Sequence, residues 1–170
     1  MTKEKLVQIF QSKNFKRFTI FLGITFVILT FFISVDPTPF LQFGYFGVFI
    51  FNIFGAGTLL IPSLARHMNI FLLAFFSSLG MAGNDSISWL IGSTSGSLTK
   101  RSEKLRKIEN SIRKFGVFAL FFWSLIPFPY DLVGFVAGYL GMPYVRYIIP
   151  TFLGKFIRLI SIGLGVISLF

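Results

Sequence analysis

The sequence contains no cysteine, one histidine and only six acidic residues. Disulfide bonds and thiol chemistry are therefore excluded, and a metal site built from clustered histidines and carboxylates is not expected. No nucleophile and general base can be paired along the chain, so we expect neither an enzyme nor a cofactor. Charged residues of both signs are also scarce, at 13% of the chain, against about a quarter in soluble domains.

Apolar and aromatic residues dominate instead: 25 of the 170 residues are phenylalanine, and the mean hydropathy is +0.78. This composition predicts an all-α integral membrane protein of one domain, because a helix satisfies its own backbone hydrogen bonds within lipid. The 16 basic residues give a net charge of +10. Most of this excess lies in two short segments beside apolar runs, where basic side chains meet anionic lipid headgroups. We therefore expect membrane lipids, and no nucleic acid, as partners.

The two basic segments predict the orientation of the chain. Residues 1–17 hold five basic residues and one acid, and residues 93–114 hold seven and two. Both are expected in the cytoplasm, because basic loops stay on that side of the membrane. The prediction is thus a multi-pass protein of the cell membrane with a cytoplasmic N-terminus.

The second basic segment, residues 93–114, is predicted to be an amphipathic helix on the cytoplasmic leaflet. Its apolar residues fall near helical spacing: Leu98, Leu105, Ile108, Ile112 and Phe115. A solvated basic loop is the alternative for the same charges.

Residues 115–142 carry one charge, Asp131, and two prolines two positions apart, Pro127 and Pro129. A membrane span needs about 20 unbroken apolar residues. Proline breaks a helix because it lacks the N–H donor and clashes with the preceding turn. The sequence therefore predicts two half-helices, each too short to cross, that form a re-entrant hairpin. The tip of this hairpin is expected at membrane depth, where protein or trapped water must satisfy the backbone.

The remaining spans follow from the positions of the basic segments. The uncharged run 18–35 is predicted to be an uncleaved first transmembrane helix rather than a signal peptide, because no small-residue cleavage site follows it. Residues 70–92 must then cross from outside to inside. Residues 40–69 start and end outside, so we predict a first re-entrant hairpin there, with Pro62 near its tip; a plain extra helix is the alternative. Residues 147–170 are predicted to cross outward.

The domain 40–170 is thus predicted to consist of two re-entrant hairpins that enter from opposite sides, each followed by one spanning helix. This is the inverted-repeat plan of secondary transporters, whose working site lies between the hairpins near the membrane midplane. The repeat leaves only a faint trace in the sequence: Gly83 and Gly92 stand nine residues apart, and so do Gly154 and Gly163.

Four ionisable residues, Asp85, Asp131, Lys155 and Arg158, lie within the predicted spans or at the second hairpin tip. A charge at the centre of a membrane helix costs about 2.5 to 3.5 kcal/mol, so these residues predict a functional site. Asp85, its neighbour Asn84, and Asp131 are predicted to form a gate or proton site. Two acids facing two bases would give each charge a partner. Static ion pairs that join the helices are the alternative.

Several motifs resemble those of the DedA family, also called VTT-domain proteins, and especially its small YqaA-like branch. The motifs are Pro127 to Asp131, Ala137-Gly138, Gly154 to Arg158, Ile61 to Ser63 and Gly83 to Gly92. The resemblance covers residues 40 to 160. Leu64 stands where members often have an acid, and the arginine of the larger members' proline motif is absent. These two departures weaken the case for proton coupling by the family's full acid and base set.

The resemblance implies movement of phospholipid, or of an isoprenoid lipid phosphate, between leaflets, as in lipid scramblases and carriers. A headgroup phosphate needs cationic partners, and the predicted ligands are Lys155, Arg158 and Arg146. Asp131 is expected to balance Lys155 when no lipid is bound. Two rivals stay open: a transporter of a small ion or solute, and a non-transporting membrane subunit. A homo-oligomer is compatible with the sequence.

Overall fold

The computed structural model describes residues 17, 20–21, 24–25, 28–29, 31–33, 35–54, 57–95 and 103–169. From residue 36 onward, these residues form eight α-helices and one 3-10 turn, Gly57–Leu59. The helices are α1 (Thr38–Leu41), α2 (Gly44–Ile53), α3 (Leu60–Leu64), α4 (Ile70–Thr94), α5 (Glu103–Phe115), α6 (Val117–Leu125), α7 (Asp131–Tyr139) and α8 (Tyr144–Leu169).

Most of the basic segment 1–17, and part of the predicted first transmembrane helix, 18–35, lie outside the described residues. Within the predicted helix, the described residues are helical. Asp36 and Pro37 follow without helical structure, and the Thr38 N–H donates to the Asp36 carboxylate over 3.0 Å. This local hydrogen bond turns the chain into α1.

Two of the described helices, α4 and α8, are long and apolar enough to cross a membrane. They contain 25 and 26 residues, which at a rise of about 1.5 Å per residue exceeds the bilayer core of about 30 Å. Asn69 caps α4, because its side-chain oxygen accepts from the N–H groups of Phe71 and Leu72. The predicted bounds of α4 were 70–92, two residues short of its end.

The chain between α6 and α7, residues 126–130, is not helical. Ile126 takes an extended conformation, with φ −87° and ψ 140°, because the ring of Pro127 disfavours helical geometry in the residue before it. Each of the two flanking helices has nine residues, too few to cross a core that needs about 20.

The short helices pack on the two long ones in a regular pattern. α4 and α8 contact each other. α2 packs on α4 and α6 packs on α8, whereas α3 packs on α8 and α7 packs on α4. The first short helix of each half therefore lies on the long helix of its own half, and the second lies on the long helix of the other half.

Glycine allows α7 to lie directly against α4. A Cβ atom at Gly138 would overlap the backbone oxygen of Trp89, and one at Gly92 would overlap that of Phe135. Small residues at such crossings let helices approach closely, which is how helices gain contact in lipid. The contact also holds α7 beside Asp85 and Ser88 of α4, because a Cβ atom at Gly134 would lie 3.2 and 3.3 Å from atoms of these two residues.

Helix α5 is amphipathic, as its apolar spacing predicts. Ile108 and Ile112 are buried, and Leu105 is partly buried against the cluster formed with α6 and α7. Phe115 was expected on the same face, but it is 54% exposed. It is the last residue of α5, next to the turn into α6. Leu98 lies outside the described residues.

Candidate functional site

A cavity of about 400 Å³ lies where the break between α6 and α7 meets α4, α8 and the 3-10 turn before α3. Most of the residues that the sequence predicted for a functional site line this cavity. They are Asn84, Asp85, Pro127, Pro129, Asp131, Lys155 and Arg158. Residues that are far apart in the chain therefore line the same cavity in the fold.

The ion pair between Lys155 and Asp85 is the most buried feature of the cavity. Lys155 Nζ contacts Asp85 Oδ2, and each side chain is only 6% exposed. Lys155 lies on α8 and Asp85 on α4, so the pair joins the two long helices. We expected Asp131 as the counter-charge of Lys155, and the structure corrects this, because Asp85 occupies that position.

Asp131 is satisfied elsewhere. It is the first residue of α7, it is exposed, and its carboxylate accepts a hydrogen bond from Ser88 Oγ on α4 over 3.0 Å. The first turn of a helix favours a negative charge, because its backbone N–H groups point outward from the helix end. The Asp131 carboxyl group therefore lies at the rim of the cavity, whereas that of Asp85 lies inside.

The Tyr130 side chain forms a wall beside Lys155. Lys155 Nζ lies 5.1 Å from the centroid of the Tyr130 ring, within the range of a cation–π contact. The Tyr130 hydroxyl donates to the Leu120 carbonyl over 3.2 Å and lies 2.8 Å from Thr151 Oγ1. Tyr130 thus connects the α6 backbone, α8 and the buried cation.

Arg158 links the two irregular segments of the chain. Its Nη1 donates to the Ile126 carbonyl over 3.2 Å, and its Nη2 donates to Thr58 Oγ1 over 3.3 Å. The Ile126 carbonyl belongs to the break between α6 and α7, and Thr58 belongs to the turn before α3. The Nε atom of Arg158 is buried and has no hydrogen-bond partner among the described residues. A buried donor of this kind is available to an anion or a water molecule.

Two predicted site residues lie outside this cavity. Arg146 is exposed in the first turn of α8. Pro62, predicted near the tip of a hairpin, is exposed within α3. It lies in the first turn of this helix, where a proline is tolerated because the N–H group there has no partner within the helix. In the first half of the domain, the segment that reaches the cavity is instead the 3-10 turn Gly57–Leu59, which precedes Pro62.

The sequence did not identify Tyr130, Thr58 or Ser88 as part of the site. Tyr130 stood within the proline motif and so carried a signal, since buried tyrosines keep a partner for the hydroxyl. Thr58 and Ser88 carried none, because small hydroxyl residues are common in membrane helices. Within the described residues, no three His, Cys, Asp or Glu side chains come together as a metal site would need.

The arrangement presents two cations and one unpartnered N–H donor to a small space bounded by broken backbone. Lys155 offers a compact charge and Arg158 a planar fork, and both suit the oxygens of a phosphate or carboxylate. Asp85 pairs with Lys155 inside this space.

Comparison with known proteins identifies one matching family and one similar protein. A sequence family described as the VTT domain matches residues 41–166. An uncharacterized protein of Methanocaldococcus jannaschii, MJ0201, is 24% identical over 128 residues, which cover 69% of this chain and 80% of that protein. No solved structure matches the chain.

Proposed function

The chain belongs to the VTT-domain family, the DedA family of membrane proteins, and from this premise we propose that it moves lipids with an anionic headgroup between leaflets. The lipid is a phospholipid or an isoprenoid lipid phosphate. The observation that carries the proposal is the buried charge of the cavity, formed by Lys155, Asp85 and Arg158. Charges within membrane helices cost about 2.5 to 3.5 kcal/mol each, so they persist where function requires them.

The proposed step begins with the headgroup. A phosphate entering the cavity accepts from the unpartnered Arg158 Nε and replaces Asp85 as the partner of Lys155 Nζ. Asp85 then carries a charge that protonation or water must satisfy, which makes it the proposed gate, with Asn84 beside it. The volume of about 400 Å³ suits a headgroup and not a whole lipid. The acyl chains therefore stay in the bilayer beside the protein.

We also propose that α2 with α3, and α6 with α7, are the two opposed re-entrant hairpins of an inverted repeat. The packing pattern supports this, because the first helix of each pair lies on the long helix of its own half and the second on that of the other half. A two-fold axis between α4 and α8 would produce this exchange. Both the broken segment 126–130 and the turn Gly57–Leu59 reach the charged cavity through Arg158.

The proposed setting is the cell membrane, with the N-terminus and α5 on the cytoplasmic side. The basic residues of segments 1–17 and 93–114 support this orientation. In this arrangement the domain 40–170 contributes two spanning helices, α4 and α8, and the run 18–35 contributes a third.

A transporter of a small anion is the second candidate, and the size of the cavity favours it as much as it favours a headgroup. A small carboxylate or phosphate would use the same Lys155 and Arg158 donors. Such a protein would move a soluble anion into liposomes and leave leaflet-labelled lipids in place. A non-transporting subunit would do neither.

The test is reconstitution of the purified protein into liposomes whose lipids are labelled in one leaflet. The key variant is the double substitution Lys155→Gln with Asp85→Asn, which removes both charges and keeps a hydrogen bond between neutral groups. We expect lipid movement to be lost with the melting temperature nearly unchanged. The matched control is Lys107→Gln with Glu103→Gln, which neutralises an exposed ion pair of 3.2 Å on α5. Full lipid movement in the cavity double variant would refute the site assignment.

A further inference from the structure

Two further cavities, separate from the charged one, lie at the start of α8. The first, of about 660 Å³, is lined by Arg113 at the end of α5, by the turns at Gly116 and Gly141, and by Arg146. The second, of about 570 Å³, is an apolar cleft between α6 and α8. Val117 and Arg146 line both, so the two spaces adjoin.

The two cavities differ in character. No acidic side chain lines the first within the described part of the chain, and Arg113 and Arg146 supply two guanidinium groups. The Arg113 guanidinium donates from Nε to Glu109 over 3.0 Å, and its Nη2 lies 3.0 Å from the same carboxylate oxygen. A guanidinium has five N–H donors, so donors are left for an anion. The second cavity is lined by aromatic and aliphatic side chains, among them Phe118, Phe121 and Ile149.

The two cavities follow one another along α8 in the order of the headgroup and the acyl chain of a lipid. With 26 residues, α8 is longer than a bilayer core of about 30 Å. Its first turn carries the exposed Tyr144 and Arg146, residue types that suit the level of the headgroups. Arg146 is the third residue of this helix. Ile149 and Leu153, which line the apolar cleft, lie one and two turns deeper.

We propose that this pair of cavities binds one lipid with an anionic headgroup, with the phosphate at Arg113 and Arg146 and an acyl chain in the cleft between α6 and α8. Arginine suits this position because its fork donates two parallel hydrogen bonds to phosphate oxygens. The lipid would connect α5, α6 and α8 at the membrane surface. The site is independent of the proposed lipid movement, since it shares no lining residue with the charged cavity.

The test measures lipid binding by native mass spectrometry of the purified protein in neutral detergent. The probes are phosphatidylglycerol, phosphatidylcholine with the same acyl chains, and glycerol phosphate as the soluble headgroup. We expect phosphatidylglycerol to bind more tightly than phosphatidylcholine. Loss of a charge-assisted hydrogen bond in Arg146→Gln should weaken phosphatidylglycerol binding about tenfold. Arg106→Gln is the matched control, because it removes an exposed arginine of α5 that lines neither cavity.

A second pair of variants tests the acyl chain. Ile149→Ser removes an apolar contact from the cleft, and Ile157→Ser removes a similarly exposed side chain, 45% against 53%, elsewhere on α8. We expect about fivefold weaker binding in the first and no change in the second. The proposal is overturned if Arg146→Gln binds phosphatidylglycerol like Arg106→Gln, or if phosphatidylcholine binds equally well. It is also overturned if glycerol phosphate competes as strongly as the lipid, since the site would then hold a soluble anion.

Discussion

At the scale of single residues, Lys155 and Asp85 depend on each other. Both side chains are only 6% exposed, so each is poorly solvated when its partner is removed. We predict that Lys155→Gln alone and Asp85→Asn alone each destabilise the fold by about 3 to 5 kcal/mol, because each strands a buried charge. The neutral double variant should recover most of this loss. Melting temperatures of the three variants in one detergent measure the effect.

The charge-swapped variant Lys155→Asp with Asp85→Lys separates structure from transport. A static ion pair would recover both stability and lipid movement when its charges are exchanged. A phosphate site would recover stability at most, since the swap places a carboxylate on α8, one turn from Arg158, where it repels an anion. Recovery of lipid movement in the swapped variant would assign the pair to structure.

The Tyr130 hydroxyl offers a second prediction at this scale. Tyr130→Phe keeps the ring beside Lys155 but removes the O–H that contacts the Leu120 carbonyl and Thr151. We expect a loss of about 1 to 2 kcal/mol, because buried acceptors lose their donor. Tyr144→Phe is the control, since its hydroxyl makes a similar contact, 2.9 Å from Ser86 Oγ, at an exposed position. Chemical denaturation should show the larger loss for Tyr130→Phe, and equal losses would contradict the role of its buried hydroxyl.

The charged residues of the cavity were predictable from the sequence, but their pairing was not. An ionisable residue stands out within an apolar run, so Asp85, Asp131 and Lys155 could be identified from composition alone. Which acid meets Lys155 depends on the rotation of α4 against α8, and that rotation is set by packing between helices. Asp131 also gains a partner on α4, Ser88, which sequence spacing does not reveal.

At the scale of elements, the break between α6 and α7 was predictable because proline acts on its own neighbourhood. The sequence did not predict the long helix on which each short helix packs. The sequences of α6 and α7 are apolar around most of the helix surface, so they do not indicate a single face for burial. Close contacts at glycine determine the packing partner, because the backbone of one helix must meet a position without a side chain on the other. Gly138 against Trp89 is such a contact.

This packing gives a prediction about Gly138. A Cβ atom there would overlap the Trp89 backbone oxygen, and backbone cannot rotate away as a side chain can. We expect Gly138→Ala to push α7 from α4 and to destabilise the fold by about 1 to 3 kcal/mol. Gly83→Ala is the control, because a Cβ atom at this exposed position of α4 would have nothing within 4 Å. It should leave stability unchanged or raise it slightly, since alanine favours helix. Thermal unfolding of both variants decides, and an equal response would rule out the contact.

At the scale of the whole molecule, the number of crossings decides whether the short helix pairs turn back. Thr38 and Asn110 are exposed residues on either side of α2, α3 and α4, and Ser168 is exposed near the end of α8. If both helix pairs are re-entrant, one crossing separates each of these positions from the next. Thr38 and Ser168 would then lie outside and Asn110 inside. If either pair crossed fully, two successive positions would lie on the same side.

A chain without native cysteine allows each of these positions to be tested alone. We predict that cysteines introduced as Thr38→Cys and Ser168→Cys react with a membrane-impermeant maleimide in intact cells. Asn110→Cys should react only after the membrane is permeabilised, because α5 belongs to the basic segment expected in the cytoplasm. Equal labelling of all three in detergent is the control for reactivity. Protection of Thr38→Cys together with Asn110→Cys would mean that residues 40–69 cross the membrane. Protection of Ser168→Cys would mean that α6 and α7 cross, and the broken segment 126–130 would then be a kink within a span rather than the tip of a hairpin.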